Sequence, residues 1–191
     1  MKLFLIRHGQ SEANLHSCYT GQTDVPLTQM GKQQAAAAGA ILSAYRFDKV
    51  YASDLQRTRC TCENALPGIS YEPLVLLREF DVGRLAGVEI GSVERRQSPD
   101  PADRPDYTDY GGENARMVCD RAKAFLKMLE DEPCDCVAAF THFGFINCVL
   151  RTVLNVSYEN KCICTDNCSI HVLEFDGETW RILALNYGVQ V

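Results

Sequence analysis

Three observations predict an α/β fold, a three-layer α/β/α sandwich with a mainly parallel central sheet. Short apolar runs alternate along the chain with segments of helical periodicity, each early run ends in polar residues that can start a helix, and the last two runs are joined by a turn signal.

Lys2 to Ile6 is the first apolar run, ended by Arg7. After a polar loop, Thr28 can cap a helix that runs through the Ala-rich stretch to about Tyr45. Val50-Tyr51-Ala52 reads as the next strand, and Ser53-Asp54 can cap a second helix through Arg57, Thr61 and Ala65. A short extended piece follows from Pro73 to Leu77. From Arg84 to Tyr110 the pattern is irregular, and Pro99, Pro101 and Pro105 block regular structure, which predicts a surface excursion. Between Glu113 and Glu130, residues Ala115, Val118, Cys119, Ala122, Phe125, Leu126 and Leu129 recur at helical spacing, which predicts an amphipathic helix. Val137 to Phe140 is apolar on both faces, as a buried strand should be. Thr141-His142 ends it, and a helix is expected from about Gly144 to Leu154. Ser169 to Phe175 and Trp180 to Leu185 close the chain as a hairpin through Asp176-Gly177. In such a sheet, ligands sit at the carboxyl ends of the strands.

A length of 191 residues suits one domain spanning 1–191, and 46% hydrophobic with 23% charged residues is the balance of a globular chain that folds alone. The net charge of -6 repels polyanions, so neither a nucleic acid nor a membrane is expected as a partner, and any bound anion needs a local cationic cluster. Arg7 cuts the first apolar run far short of a signal-peptide core. No later run approaches the ~18 residues that span a bilayer, so a soluble, cytoplasmic protein is expected. The ten cysteines then fit free thiols in a reducing compartment. The pairs Cys60/Cys62, Cys134/Cys136 and Cys162/Cys164 have one intervening residue where structural zinc sites have two or more, so no metal and no other cofactor is expected. Oligomeric state is left open.

On this layout Arg7-His8 follows the first strand, Arg57 lies in the helix after the second, and His142 follows a later strand, so all can reach one edge of the sheet. Two guanidinium forks suit phosphate oxygens, and two imidazoles can supply a nucleophile and a proton-donating phosphate ligand. A helix starting near Gly144 would also aim backbone N–H groups at an anion held by His142. Taken singly, Arg7 or Arg57 reads as a surface ion-pair residue and either histidine as a satisfied, partly buried ring. His16 is expected in an exposed loop and His171 in a strand, both structural.

The same residues carry a family resemblance. Leu5-Ile6-Arg7-His8-Gly9-Gln10-Ser11-Glu12-Ala13-Asn14 resembles the signature of the histidine phosphatase superfamily, also called phosphoglycerate mutase-like. Gly21 to Thr28, Ser53-Asp54-Leu55-Gln56-Arg57-Thr58, Leu77-Arg78-Glu79 and Thr141-His142-Phe143-Gly144 resemble its later segments, in its order and over nearly the whole chain. The resemblance implies a phosphoglycerate mutase-like fold and a metal-independent phosphomonoester hydrolase acting on a small phosphorylated metabolite. His8 would attack phosphorus while Arg7, Arg57 and His142 hold the equatorial oxygens, and Glu79 would act as proton donor and acceptor. It further implies a phosphate or nucleophile-loop contact for Asn14 and a substrate-side loop at Thr20, Gly21 and Gln22. Phe143 stands where the family more usually has glycine, which leaves its backbone donor available.

Two alternatives stay open at Glu79: an ion pair with Arg78 or Arg84, and Asp81 as a rival acid. Two further function classes stay open for the chain. One is mutase-type phosphoryl transfer, which the resemblance associates with a longer insertion over the pocket, whereas only about 25 residues separate Gly87 from Gly112-Glu113 here. The other is a non-catalytic phosphate-binding regulator. Arg95, Arg96 and Arg104 in that segment can serve an ordinary solvated loop or contact a second anionic group. A dinucleotide enzyme is disfavoured, because no G-x-G-x-x-G run follows the first strand.

Overall fold

A computed structural model describes residues 1–94, 97–156 and 163–188. Six strands, β1 (Lys2–Arg7), β2 (Lys49–Ala52), β3 (Glu72–Pro73), β4 (Cys136–Thr141), β5 (Ile170–Phe175) and β6 (Trp180–Tyr187), form one sheet in the order β3-β2-β4-β1-β5-β6. The first four in that order run parallel to one another, and β5 and β6 add an antiparallel edge beside β1. The helices are α1 (Glu12–Leu15), α2 (Gln29–Leu42), α3 (Gln56–Ala65), α4 (Ala115–Glu130) and α5 (Phe143–Leu154).

Alternation along the strands separates two cores. On β1, Leu3 and Leu5 face α4 and α5, packing with Phe125, Leu129, Phe145 and Val149, while Phe4 and Ile6 face the other side with Leu42, Cys62 and Ala65 of α2 and α3. Every one of these side chains is under about 6% exposed, so the sheet is covered on both faces and the central strands read as continuous apolar runs for that reason. The expected three layers are therefore present.

Register then sets the level of the strand ends. Arg7 pairs with Thr141 and Ala52 with Phe140, so the next residues, His8, His142 and Ser53, emerge side by side at the carboxyl edge. The His8 N–H donates to the Thr141 carbonyl at 2.9 Å and the Ser53 N–H to that of Phe140 at 2.9 Å, extending the ladder one step past the strands. Gly9 is required just beyond: a Cβ there would lie 2.3 Å from the Gly31 carbonyl oxygen, because the loop leaving β1 lies directly on the start of α2.

Local details differ from expectation where a side chain found a distant partner. The α3 N-cap is Leu55 without a side-chain cap, and its first turn is served instead by Asp24, which accepts from the Gln56 N–H at 2.8 Å. Ser53 is thereby released to the site and Asp54 to Arg78. Glu12–Leu15 forms an additional helical turn, closed by a Ser11–Asn14 capping box. The extended piece near Pro73 is a two-residue strand followed by a 3-10 turn at Val75–Leu77. The excursion holds short turns at Gly83–Leu85, Pro101–Asp103 and Thr108–Tyr110. Arg95, Arg96 and Cys162 lie outside the described residues. The nine described cysteines are free thiols, and among the described residues no helix is long and apolar enough to cross a membrane.

Candidate active site

A cavity of about 970 Å³ opens at the carboxyl edge of the sheet. Arg7, His8, Asn14, Thr20, Gly21, Arg57, Glu79 and Phe143 all line it, and His142 lies just behind, its ring centroid 5.2 Å from that of His8. Gln22 is elsewhere. Its amide donates to the Glu79 carbonyl at 3.1 Å and to Glu113 at 3.4 Å and accepts from Arg78 at 3.1 Å, so it braces the segment beneath the acid and does not line the cavity.

His8 is 4% exposed and its Nδ1 lies 2.7 Å from the Gly9 carbonyl, which can only accept. That contact puts the ring proton on Nδ1 and leaves Nε2 with a lone pair. Burial, reinforced by the Arg57 and Arg7 charges, holds its pKa well below the usual imidazole value, so the ring is neutral at pH 7. The peptide around it is tied down from two sides, because the Asn167 amide donates to the His8 carbonyl at 3.0 Å and Thr61 Oγ1 accepts from the Gly9 N–H at 3.0 Å.

Arg57 is fully buried and donates to the carbonyls of Thr23 at 2.9 Å and Gly21 at 2.8 Å. Burial lowers its pKa to about 10, which still leaves it charged at neutrality. Arg7 donates through one terminal nitrogen to the Thr165 carbonyl, and its guanidinium lies 5.4 Å from the Phe143 ring centre. His142 Nε2 is 2.9 Å from Ser53 Oγ, which accepts from the Leu55 N–H at 3.4 Å. With the hydroxyl proton directed to Nε2, the ring proton of His142 sits on Nδ1. Among the described residues, Arg7 Nε, Arg57 Nε and His142 Nδ1 are buried nitrogens that find no hydrogen-bond partner. Such orphans are uncommon in a folded chain, and nitrogens of two guanidinium groups and an imidazole beside neutral His8 are a donor set that suits the oxygens of an anion.

Glu79 accepts from the Phe80 N–H at 2.9 Å and from the Gly144 N–H at 3.0 Å. The start of α5 therefore presents its N–H group to this carboxylate, where the sequence suggested a bound anion. Neither expected alternative is found among the described residues: Arg78 forks onto Asp54 at 2.6 and 2.7 Å, Arg84 donates to the Asp109 carbonyl at 3.0 Å, and Asp81 turns to the Gly83 N–H at 2.8 Å, away from the cavity. Arg121 of α4 fixes the acid's backbone by donating to the carbonyls of Leu76, Arg78 and Glu79 at 2.9, 2.9 and 3.2 Å while pairing with Glu113 at 2.8 Å.

Asn14 uses its side-chain carbonyl on the Ser11 N–H and hydroxyl, both at 3.1 Å, so its NH2 is what it offers the cavity. His16 is exposed at the end of α1, and His171 is buried in β5 between the Asn186 N–H and Ser169. Among the described residues no three His, Cys, Asp or Glu side chains converge as a metal site would require. Several contributors escaped sequence reasoning: Ser53 as the partner of His142, Asn167, Arg121, and the polar residues Asn147 and Arg151 of α5. Only the last two left a signal, since they interrupt an otherwise apolar helix three and seven residues after Gly144.

The chain belongs to the histidine phosphatase superfamily (branch 1), whose family profile matches residues 3–188 and so spans the cavity-lining residues described above. A 2,3-bisphosphoglycerate-dependent phosphoglycerate mutase of Rhizobium etli is 36% identical over 135 residues, covering 65% of this chain and 65% of that protein. The probable phosphoglycerate mutase GpmB of Cronobacter sakazakii is 27% identical, covering 94% of this chain and 87% of its own length. Among solved structures, the α-ribazole phosphatase of Shigella flexneri superposes with a TM-score of 0.84 at 21% identity, covering 100% and 99% of the two chains. The mycobacterial glucosyl-3-phosphoglycerate phosphatase complexed with VO3 gives 0.81 at 24%, covering 97% and 98%. At those identities the structural likeness carries the fold alone.

Proposed function

We propose that this chain is a phosphomonoesterase that takes the phosphoryl group of a small phosphorylated metabolite onto His8 Nε2 and passes it to water. The observation that carries this reading is the group of three buried orphan donors, on Arg7, Arg57 and His142, set about a neutral His8 whose tautomer leaves Nε2 free. In the transfer step, the Nε2 lone pair bonds to phosphorus as the ester P–O bond breaks. The two guanidinium groups and His142 Nδ1–H offset the charge on the equatorial oxygens. Glu79, protonated at the start, gives its proton to the departing oxygen, and its carboxylate then takes one from the water that attacks phosphohistidine. These cationic donors fill the electrostatic role of a metal, so the reaction is proposed to need none.

The test is phosphate release from simple monoesters in excess EDTA, together with rapid quench of the wild type and His8→Ala. The wild type should yield an acid-labile, alkali-stable phosphoenzyme, and the variant neither phosphoenzyme nor turnover. Activity that vanished with chelator and returned with a divalent ion would overturn the metal-free mechanism.

A second reading, mutase-type transfer back to a bound sugar acid, is favoured by the names of the curated relatives. Given 3-phosphoglycerate with a trace of bisphosphate primer, the proposed hydrolase yields glycerate or nothing. Rapid equilibration with 2-phosphoglycerate would instead establish the mutase.

A further inference from the structure

Cys119 of α4 and Cys148 of α5 are hydrogen-bonded to each other across the contact between the two helices. Cys148 is fully buried in the core on this face of the sheet, and Cys119 packs against that core half-buried. Lys123 and Thr152, each one turn beyond its cysteine on the same helical face, wall one surface groove with Leu126, Val153 and Trp180, so the helices face each other along this row. The thiol that a solute can reach is therefore Cys119, and its neighbour within reach is Cys148. The proposed reaction uses neither.

The two thiols are unlike. The hydrogen bond from Cys148, helped by the Lys123 charge, holds the Cys119 thiol below its usual range, whereas burial pushes that of Cys148 well above its own. Burial also pushes the Cys62 and Cys168 thiols up to about 12, which keeps them as thiols at neutral pH. A reachable sulfur with thiolate character, beside a second sulfur that can displace oxygen from it, is the arrangement of a redox-sensing pair. We propose that Cys119 and Cys148 are an oxidation site, at which a peroxide closes a reversible disulfide between α4 and α5 and thereby slows phosphate release.

In the first step the Cys119 thiolate attacks hydrogen peroxide: an S–O bond forms, the O–O bond breaks, and the departing hydroxide takes a proton to become water. The Cys148 sulfur then attacks the sulfenic sulfur. The S–S bond forms as the S–O bond breaks, and the Cys148 proton leaves with the oxygen as a second water. The two sulfurs give up two electrons to the peroxide, and an added dithiol returns them. Bonded sulfurs stand closer than hydrogen-bonded ones, so the helices draw together at this level. Both helices carry supports of Glu79. Arg121, two residues after Cys119, holds the carbonyls of Leu76, Arg78 and Glu79, and Gly144, one turn before Cys148, gives its N–H to the carboxylate. Drawing one helix against the other shifts these supports relative to each other. The slowing of phosphate release rests on the proposed function, whereas the disulfide does not.

The experiment treats the reduced wild type with hydrogen peroxide, quenches with catalase, and reads the product by peptide mapping and by phosphate release from an alkyl monoester. Trypsin with chymotrypsin separates Cys148 from Cys134 and Cys136, because Phe140 and Phe145 lie between them. The map should show Cys119 linked to Cys148, and kcat should fall ~10–100-fold and return with dithiothreitol. Cys119→Ser should keep the activity of the reduced protein, form no link and resist peroxide. In Cys148→Ala, Cys119 should stop at a sulfenic acid that dimedone traps; if that buried change prevents folding, Cys119→Ser decides alone. A wild type without the Cys119–Cys148 link overturns the site. A link that leaves kcat unchanged, or a Cys119→Ser protein as sensitive to peroxide as the wild type, overturns its effect on turnover. If the reduced protein hydrolyses no ester, the phosphatase reading falls together with that effect, while the map still decides the disulfide.

Discussion

Gly144→Ala separates the position of the acid from the stability of the fold. A Cβ at residue 144 would lie 2.2 Å from Glu79 Oε1 and 2.4 Å from the edge of the Phe80 ring, where ordinary contact begins near 3.4 Å. The carboxylate is the end of a flexible side chain, so it can retreat by about 1 Å, but it then loses the geometry that holds it on the Gly144 N–H. A displacement of that size typically costs ~10²-fold when it affects a catalytic group. Shifting the Phe80 edge adds overpacking of roughly 1–3 kcal/mol, a drop of several degrees in Tm for a chain of this length. Stopped-flow single turnovers on an alkyl monoester, beside a thermal melt, should therefore show a ~100-fold slower first turnover in a protein that is still folded at 25 °C. A folded variant with the wild-type first-turnover rate would refute the role assigned to the Gly144–Glu79 contact, and with it the claim that this carboxylate must sit where it does.

Glu79→Gln should slow phosphorylation of His8 by an alkyl monoester ~10²–10⁴-fold but by p-nitrophenyl phosphate far less, because nitrophenolate leaves without a proton; burst amplitudes on the two substrates check this, and equal losses would reject Glu79 as the leaving-group acid. Acid should destabilise the fold through its buried neutral histidines. Burial lowers the pKa of His171 to about 4, below the unfolded value near 6.5, so the unfolded chain binds the extra proton first as pH falls. Its stabilising contribution is complete above about pH 6.5 and is lost toward pH 4, with roughly 2 kcal/mol gone between pH 7 and 5. His8 and His142, held low by burial and by the arginines, add to the same slope. Denaturant midpoints that stay level from pH 7 to 5 would contradict this. Arg121→Met should lower kcat more than it raises KM, since Arg121 fixes the backbone of the acid and touches no cavity surface; an unchanged kcat in a folded protein would remove it as a positioning residue.

The strand ends were legible because a strand-to-helix turn leaves a local mark. Apolar runs end abruptly at Arg7, Ser53 and Thr141, and parallel register does the rest by levelling His8, Ser53 and His142. What could not be read was side-chain pairing across distance. Ser53-Asp54 looked like a helix cap, yet Asp24, 32 positions upstream of Gln56, took that N–H. Gln22 lies next to Gly21, which lines the cavity, but one step along an irregular loop turns the side chain away, toward Arg78 and Glu113. The Gly144 N–H was expected to serve a ligand, and a carboxylate 65 residues earlier accepts it instead. Asn147 and Arg151 were visible as interruptions in an apolar helix, but which way that stripe faced depended on the cavity, which no local pattern encodes.

Arg121 of α4 grips the carbonyls of Leu76, Arg78 and Glu79, while Glu113 accepts from the Asp81 N–H at 2.9 Å and its own N–H donates to the Asp81 carbonyl at 2.8 Å. The acid is thus anchored to a core helix, although its neighbours in sequence lead straight into the irregular segment that contributes Ile90, Gln97, Arg104 and Tyr107 to the far wall. On the proposed reading, proton chemistry and the wall facing the leaving group belong to separately supported pieces of chain. On that reading the far wall is the part of the site that can change with the alcohol: its ends are pinned, Val88 and Ile90 to the backbone of residues 17–19 and Pro105 and Tyr107 to that of Glu113 and Ala115, so a substitution at Gln97 alters the cavity without moving Glu79.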